Sequence, residues 1–232
     1  MSGSASDTEA AEALLRTIGA GPGRPFDIAE AALALSALAR PGIDLAPYRR
    51  HLAALAADLA AADPPSSGMS EEALHRQAAA LNAVLVDRHG YRGDRVTYDD
   101  LDNADLTRVI DRRHGLPVAL GVLWLHTARS QGWTIAGLAF PGHFLLRLGA
   151  GPCCTILDPF DGGRIHDAAS LRRMLKSTIG PDAELQPAHY AVVDDRDVLL
   201  RLENNVKLRL IREGRLREAA EVLERMLLFA PD

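Results

Sequence analysis

The run Val118-Ala119-Leu120-Gly121-Val122-Leu123-Trp124-Leu125 constrains this chain more than any other stretch. It follows Arg113-His114-Gly115-Leu116-Pro117. Proline suits the first turn of a helix, where its missing N–H would have had no intrahelical acceptor. A helix that is apolar on nearly all sides belongs in the middle of a domain, with other layers packed around it. The run stops near Gln131-Gly132. With 232 residues, 47% of them hydrophobic, the chain is long enough to build those layers around one full core.

The flanking pattern says what the layers are. After the run, the segments 134–140, 143–148 and 155–157 are short, apolar and separated by Pro-Gly or Gly-Ala-Gly-Pro turns, which predicts an antiparallel meander. Before it, helices are expected at 28–39 and 45–62, where Leu52, Leu55 and Leu59 share a face, and from Ser70 to a stop at Gly90. Residues 1–25 end in the breaker cluster Gly21-Pro22-Gly23-Arg24-Pro25 and read as a loosely attached arm. At the other end, 199–213 and 216–229 around Gly214, closed by Pro231, resemble one tetratricopeptide unit. A lone unit cannot form a solenoid, so it is expected to dock as a cap. The reading is an α+β fold: an arm (1–25), a helical layer (26–90), a core of central helix on a small antiparallel sheet (91–198) and a helical hairpin (199–232).

Charge and composition narrow the function classes. Lys plus Arg number 26 against 31 Asp plus Glu, so no global field draws the chain to nucleic acid or anionic lipid. The first twenty residues lack a basic start followed by an apolar run, and no segment approaches the roughly 18 uninterrupted apolar residues of a membrane span. A cytoplasmic location is the default expectation. Cys153 and Cys154 are adjacent, the wrong geometry for an ordinary disulfide. The aspartates at 94, 99, 100, 102 and 105 lack the alternating pattern and distal Glu of a calcium loop, and caps and turns are the expected roles. No metal or cofactor is expected.

His143, in Phe140-Pro141-Gly142-His143-Phe144-Leu145-Leu146-Arg147, is followed fifteen residues later by Asp158 in Asp158-Pro159-Phe160-Asp161-Gly162-Gly163. A histidine on one strand and an aspartate on the next are two thirds of a thiol-hydrolase triad. Either they need a nucleophile, or they are a hydrogen-bonded pair that pins two strands. Cys154 shares a face with Asp158 on a regular strand but lies roughly 13 Å away along it, and only the hairpin register decides whether it meets His143. His166 could join the pair in a zinc site, but no short helical ligand spacing supports that.

Tyr91-Arg92-Gly93-Asp94, Asn103, the segment 113–120, the segment 140–147 and the segment 158–163 together resemble the SirB-type branch of the transglutaminase-like superfamily. So do the N-terminal helical layer and the tail carrying Leu202, Asn204, Asn205 and Lys207. The resemblance implies a papain-like architecture, with a cysteine opening the central helix, where the helix dipole lowers its pKa. Gly115-Leu116-Pro117 with Gly121 and Leu123 fits that motif, and the cysteine slot holds Pro117. A shift of one or two residues would put Val118 or Ala119 there, and relatives of the branch often carry serine at the place of Ala119. The expectation is a non-catalytic, bacterial-type cytoplasmic protein, regulatory or scaffolding, that binds a protein or peptide. Its residual pocket would comprise Pro117, Gly142, Phe144 and Phe160 around His143 and Asp158. The alternative is a thiol-dependent peptide or isopeptide hydrolase or acyltransferase, with His143 as base, Asp158 as orienter and Cys154 as displaced nucleophile.

Overall fold

The computed structural model describes residues 3–62 and 70–231. The apolar run forms α6 (Pro117–Arg129), and every residue from Pro117 to Leu125 is buried. One side of α6 is covered by α2 (Ile28–Ala39), α3 (Ala46–Ala62) and α4 (Glu71–Asn82). Asp27 accepts hydrogen bonds from the Ala29 and Glu30 amides at the start of α2, and the Ser70 hydroxyl accepts one from Ala73 N at the start of α4. Past Asn82 the chain does not continue as α-helix to Gly90 but winds as π-helix over Ala83–Arg88. Val84, Leu85 and Val86 are all buried there, and π winding narrows the arc that three consecutive side chains span.

The sheet packs on α6 through its strand Ile135–Leu138. Strands β3 (Ile135–Leu138), β4 (Leu146–Ala150) and β5 (Cys153–Asp158) form the expected antiparallel meander. Short edge strands β6 (Arg164–His166) and β7 (Val192–Val193) extend it to the order β6-β5-β4-β3-β7, with α7 (Ala168–Ile179) following β6. Two boundaries differ from the sequence reading. Gly149 and Ala150 pair with Cys154 and Cys153, so the turn is Gly151-Pro152 alone. His143 precedes β4 rather than opening it, because Pro141 and Gly142 form a turn in which Gly142 has φ 69°.

After Gly90 the chain forms a parallel strand pair, β1 (Arg92–Gly93) and β2 (His114–Gly115), on either side of α5 (Leu106–Arg112). All five aspartates here are tied to the protein. Asp94, Asp100 and Asp105 accept backbone N–H groups, and Asp99 and Asp102 pair with Arg209 and Arg112.

The expectation of a loose N-terminal arm gives way to a docked helix, α1 (Gly3–Ala20). Ala11, Leu15 and Ile18 fall at i, i+4 and i+7 and are buried, so the breaker cluster is a turn between two packed helices. The hairpin of α8 (Asp195–Arg212) and α9 (Leu216–Phe229) caps the molecule, with α9 packed on both α8 and α1. Gly19 lies so close to α9 that a Cβ there would stand 2.3 Å from the Leu228 carbonyl oxygen.

Candidate functional site

His143 and Asp158 meet. Nε2 of His143 is 2.9 Å from Asp158 Oδ2, while Asp158 Oδ1 accepts the backbone N–H groups of Phe160 and Asp161. The aspartate is 2% exposed. Burial by itself would raise its pKa, but the hydrogen bond from His143, the nearby His166 ring and the backbone amides outweigh that and hold the carboxyl well below its ordinary value. An ionised Asp158 receives the Nε2 proton of His143. Nδ1 of the ring has no protein partner among the described residues. His166, at the edge of the sheet, brings its Nε2 to 3.6 Å from the same Asp158 oxygen and its Nδ1 to 3.1 Å from Ser170 Oγ. Among the described residues no group of three or more His, Cys, Asp or Glu is arranged to hold a metal ion.

The turn that delivers His143 is clamped on both sides. A side chain on Gly142 would collide with Thr178 of α7, and Arg201 of α8 donates to the carbonyl oxygens of His143 and Phe140 at 2.6 and 3.2 Å. The same guanidinium lies 5.5 Å over the Phe144 ring. Phe144 in turn packs so tightly on Gly121 of α6 that a Cβ there would come within 2.3 Å of the ring. The imidazole meets the Phe160 ring edge-on at 6.1 Å, and Phe160 meets Tyr98 the same way at 5.8 Å.

These groups enclose a cavity of about 50 Å³ lined by Tyr98, Pro117, Val118, Gly142, His143, Phe144, Arg201 and Asn205. Pro117, at the start of α6, therefore shares a cavity with the histidine. Phe160 from the expected pocket set stands behind His143 and does not line the cavity. Sequence reasoning missed Tyr98, Arg201 and Asn205 as site residues. Asn205 was noticed only as part of the resemblance, and Tyr98 and Arg201 carry no local signal.

The hairpin register answers the question of a displaced thiol. Leu146 pairs with Leu157 near the His143–Asp158 end, whereas Cys154 pairs with Gly149 and Cys153 with Ala150 beside the turn at the opposite end. Four residues of strand separate Cys154 from Asp158, roughly 13 Å. Cys154 is exposed, and both cysteines line a surface cleft with Glu71, Leu74 and His75. The reading of Cys154 as nucleophile is overturned by this register.

A buried helix with its N-terminus at a histidine, an aspartate at the end of the next strand and an antiparallel sheet beside them define the class: an α+β protein with a central helix packed on a small antiparallel sheet. Residues 46–204 match the family model described as Transglutaminase-like superfamily, and the chain belongs to that superfamily, in its SirB-type branch. It is 34% identical over 157 residues to a UPF0162 protein of Xylella fastidiosa, covering 66% of this chain and 56% of that one. It is 28% identical over 158 residues to Protein SirB1 of Salmonella typhimurium, covering 67% and 58%. To F-box only protein 21 of Homo sapiens it is 34% identical over 140 residues, 58% of this chain and 22% of that one. The matched region thus spans just over half the length of these bacterial relatives. No solved structure matches. Among the described residues no helix is long and apolar enough to cross a membrane.

Proposed function

We propose that this protein is a non-catalytic member of its superfamily, a cytoplasmic regulatory or scaffolding protein that binds a protein or peptide partner. The observation that carries the reading is the pairing of Pro117 with His143 across one cavity. At the helix start, where a thiol would be activated by the dipole and by the histidine, the chain has a ring with no nucleophilic atom. The His143–Asp158 pair then holds the turn before β4 against the end of β5 and shapes the rim of a groove. Tyr98, 42% exposed beside the cavity, offers that groove an aromatic contact of the kind that anchors peptides.

Two measurements test this. A peptide-based electrophilic thiol probe should label the wild type and His143→Ala equally, through exposed Cys154 alone; labelling that disappears with His143→Ala would end the non-catalytic reading. A partner captured from native cells by the wild type should be lost with Tyr98→Glu at unchanged melting temperature. Equal capture by both would remove the groove as the binding surface.

A further inference from the structure

Helix α9 buries Ala219, Val222, Met226 and Phe229 against the rest of the molecule. On the adjoining shoulder Leu216, Leu223 and Leu227 are 65%, 45% and 59% exposed, with Ala220 exposed between them. Their 4-3-4 spacing is the a/d seam of a two-helix coiled coil, which distinguishes it from apolar residues scattered singly over a surface.

A seam alone does not say what covers it; the charges beside it do. At about 100° per residue, Arg217 and Glu224 both lie roughly 80° round from the seam, on one flank, two turns apart. Both are exposed and neither joins an ion pair among the described residues, whereas Arg215 is held by Glu218 and Arg225 by Glu203. The other flank is Ala219 and Met226, already closed by the core. A flank that carries one positive and one negative charge is its own complement when the helix is reversed. A two-fold axis through the seam midway between Ala220 and Leu223 sets Leu216 against Leu227 of a second copy and Ala220 against its Leu223. The same rotation brings Arg217 to within about two residue rises, about 3 Å along the axis, of Glu224 of the second copy, twice over by symmetry.

We propose that α9 is a self-association surface and that its occupant is a second copy of this chain, packed antiparallel, α9 on α9. The helix has 14 residues, a length of about 21 Å, so the contact falls short of the roughly 800 Å² per partner of stable dimers. The association is accordingly weak and reversible, with Kd on the order of 10 µM.

Sedimentation of the full chain from about 1 to 200 µM reads this directly. The expected result is a monomer–dimer equilibrium that Leu223→Asp weakens at least about tenfold. Arg217→Glu and Glu224→Arg each weaken it several-fold, and the double variant returns it to near the wild-type value. All three positions are exposed, and an unchanged thermal melt confirms folding. A chain that stays monomeric at about 200 µM, a dimer indifferent to Leu223→Asp, or a double variant that fails to restore association would each overturn the proposal. A seam reserved for a different protein gives the first of these outcomes.

Discussion

Pro117 and His143 face the same cavity of about 50 Å³ at the start of the central helix, with the His143 ring fixed from behind by Asp158. Everything that would activate a thiol there is present except the thiol. The first amides of α6 have no intrahelical acceptor, and the imidazole is oriented by a buried carboxylate.

Pro117→Cys should therefore create a thiol of depressed pKa. Site-resolved mass spectrometry of iodoacetamide alkylation near neutral pH should show it reacting roughly tenfold faster than exposed Cys154, with most of the gain lost when His143→Ala is added. Equal rates at the two cysteines would mean that the cavity does not stabilise a thiolate.

Asp158 should matter to stability even without catalysis. Its folded pKa lies below the unfolded value, so its contribution is fully present above about pH 4 and is lost as pH falls toward the folded pKa. Asp158→Asn leaves His143 without its charged partner and is expected to cost roughly 3 kcal/mol at pH 7 in urea unfolding. The difference between wild type and variant should shrink at pH 3. A difference independent of pH would show that the carboxylate's charge is not what holds the turn.

How much of this was legible in the sequence depends on the range of the interaction. The end of α2 follows from Arg40-Pro41-Gly42, and the burial of α6 follows from its composition, because both are local. His143 and Asp158 were found through a motif pair on neighbouring strands. Arg201 lies 58 residues from the carbonyl it clamps, and nothing near it in the chain marks that contact. The docking of α1 was missed because Gly21 to Pro25 signals a break in the helix and says nothing about what packs beyond it. The β4–β5 register, which decided against Cys154, turns on whether two glycines belong to strand or turn. Composition does not specify that.

Gly121 tests how tightly the central helix is tied to the site. Alanine is ordinarily worth about 1 kcal/mol more than glycine inside a helix. Here its Cβ would press into the Phe144 ring, one residue from His143. Gly121→Ala should destabilise the protein by about 1–3 kcal/mol in urea unfolding, and Phe144→Leu in the same chain should recover part of the loss. A stabilised Gly121→Ala protein would show that the ring moves aside freely.

A part-buried polar cluster lies away from the cavity. Tyr91 OH is 2.7 Å from His51 Nε2, and Arg113 donates from one nitrogen to both, at 2.5 Å to the hydroxyl and 2.6 Å to the imidazole. Arg113 has a left-handed backbone (φ 61°) at the end of α5, immediately before β2 and the start of α6. The cluster thus ties the helical layer to the segment that positions Pro117. An imidazole that accepts from a guanidinium must be neutral. Burial first, then the charges of Arg113 and His89, push His51 down to about 4, with Asp58 opposing them. Because the folded pKa lies below the unfolded value of about 6.5, protons favour the unfolded chain between those two values. Stability from this site is whole above about pH 6.5 and drains away as pH falls toward 4. The ring is only half buried, so solvent screening reduces the loss to about 1–2 kcal/mol. His51→Gln keeps an acceptor for Arg113 but cannot be protonated in this range. Urea unfolding from pH 8 to 4 should show the variant losing less stability than the wild type across that window. Parallel curves would mean that the cluster does not lower the pKa of His51 below its unfolded value.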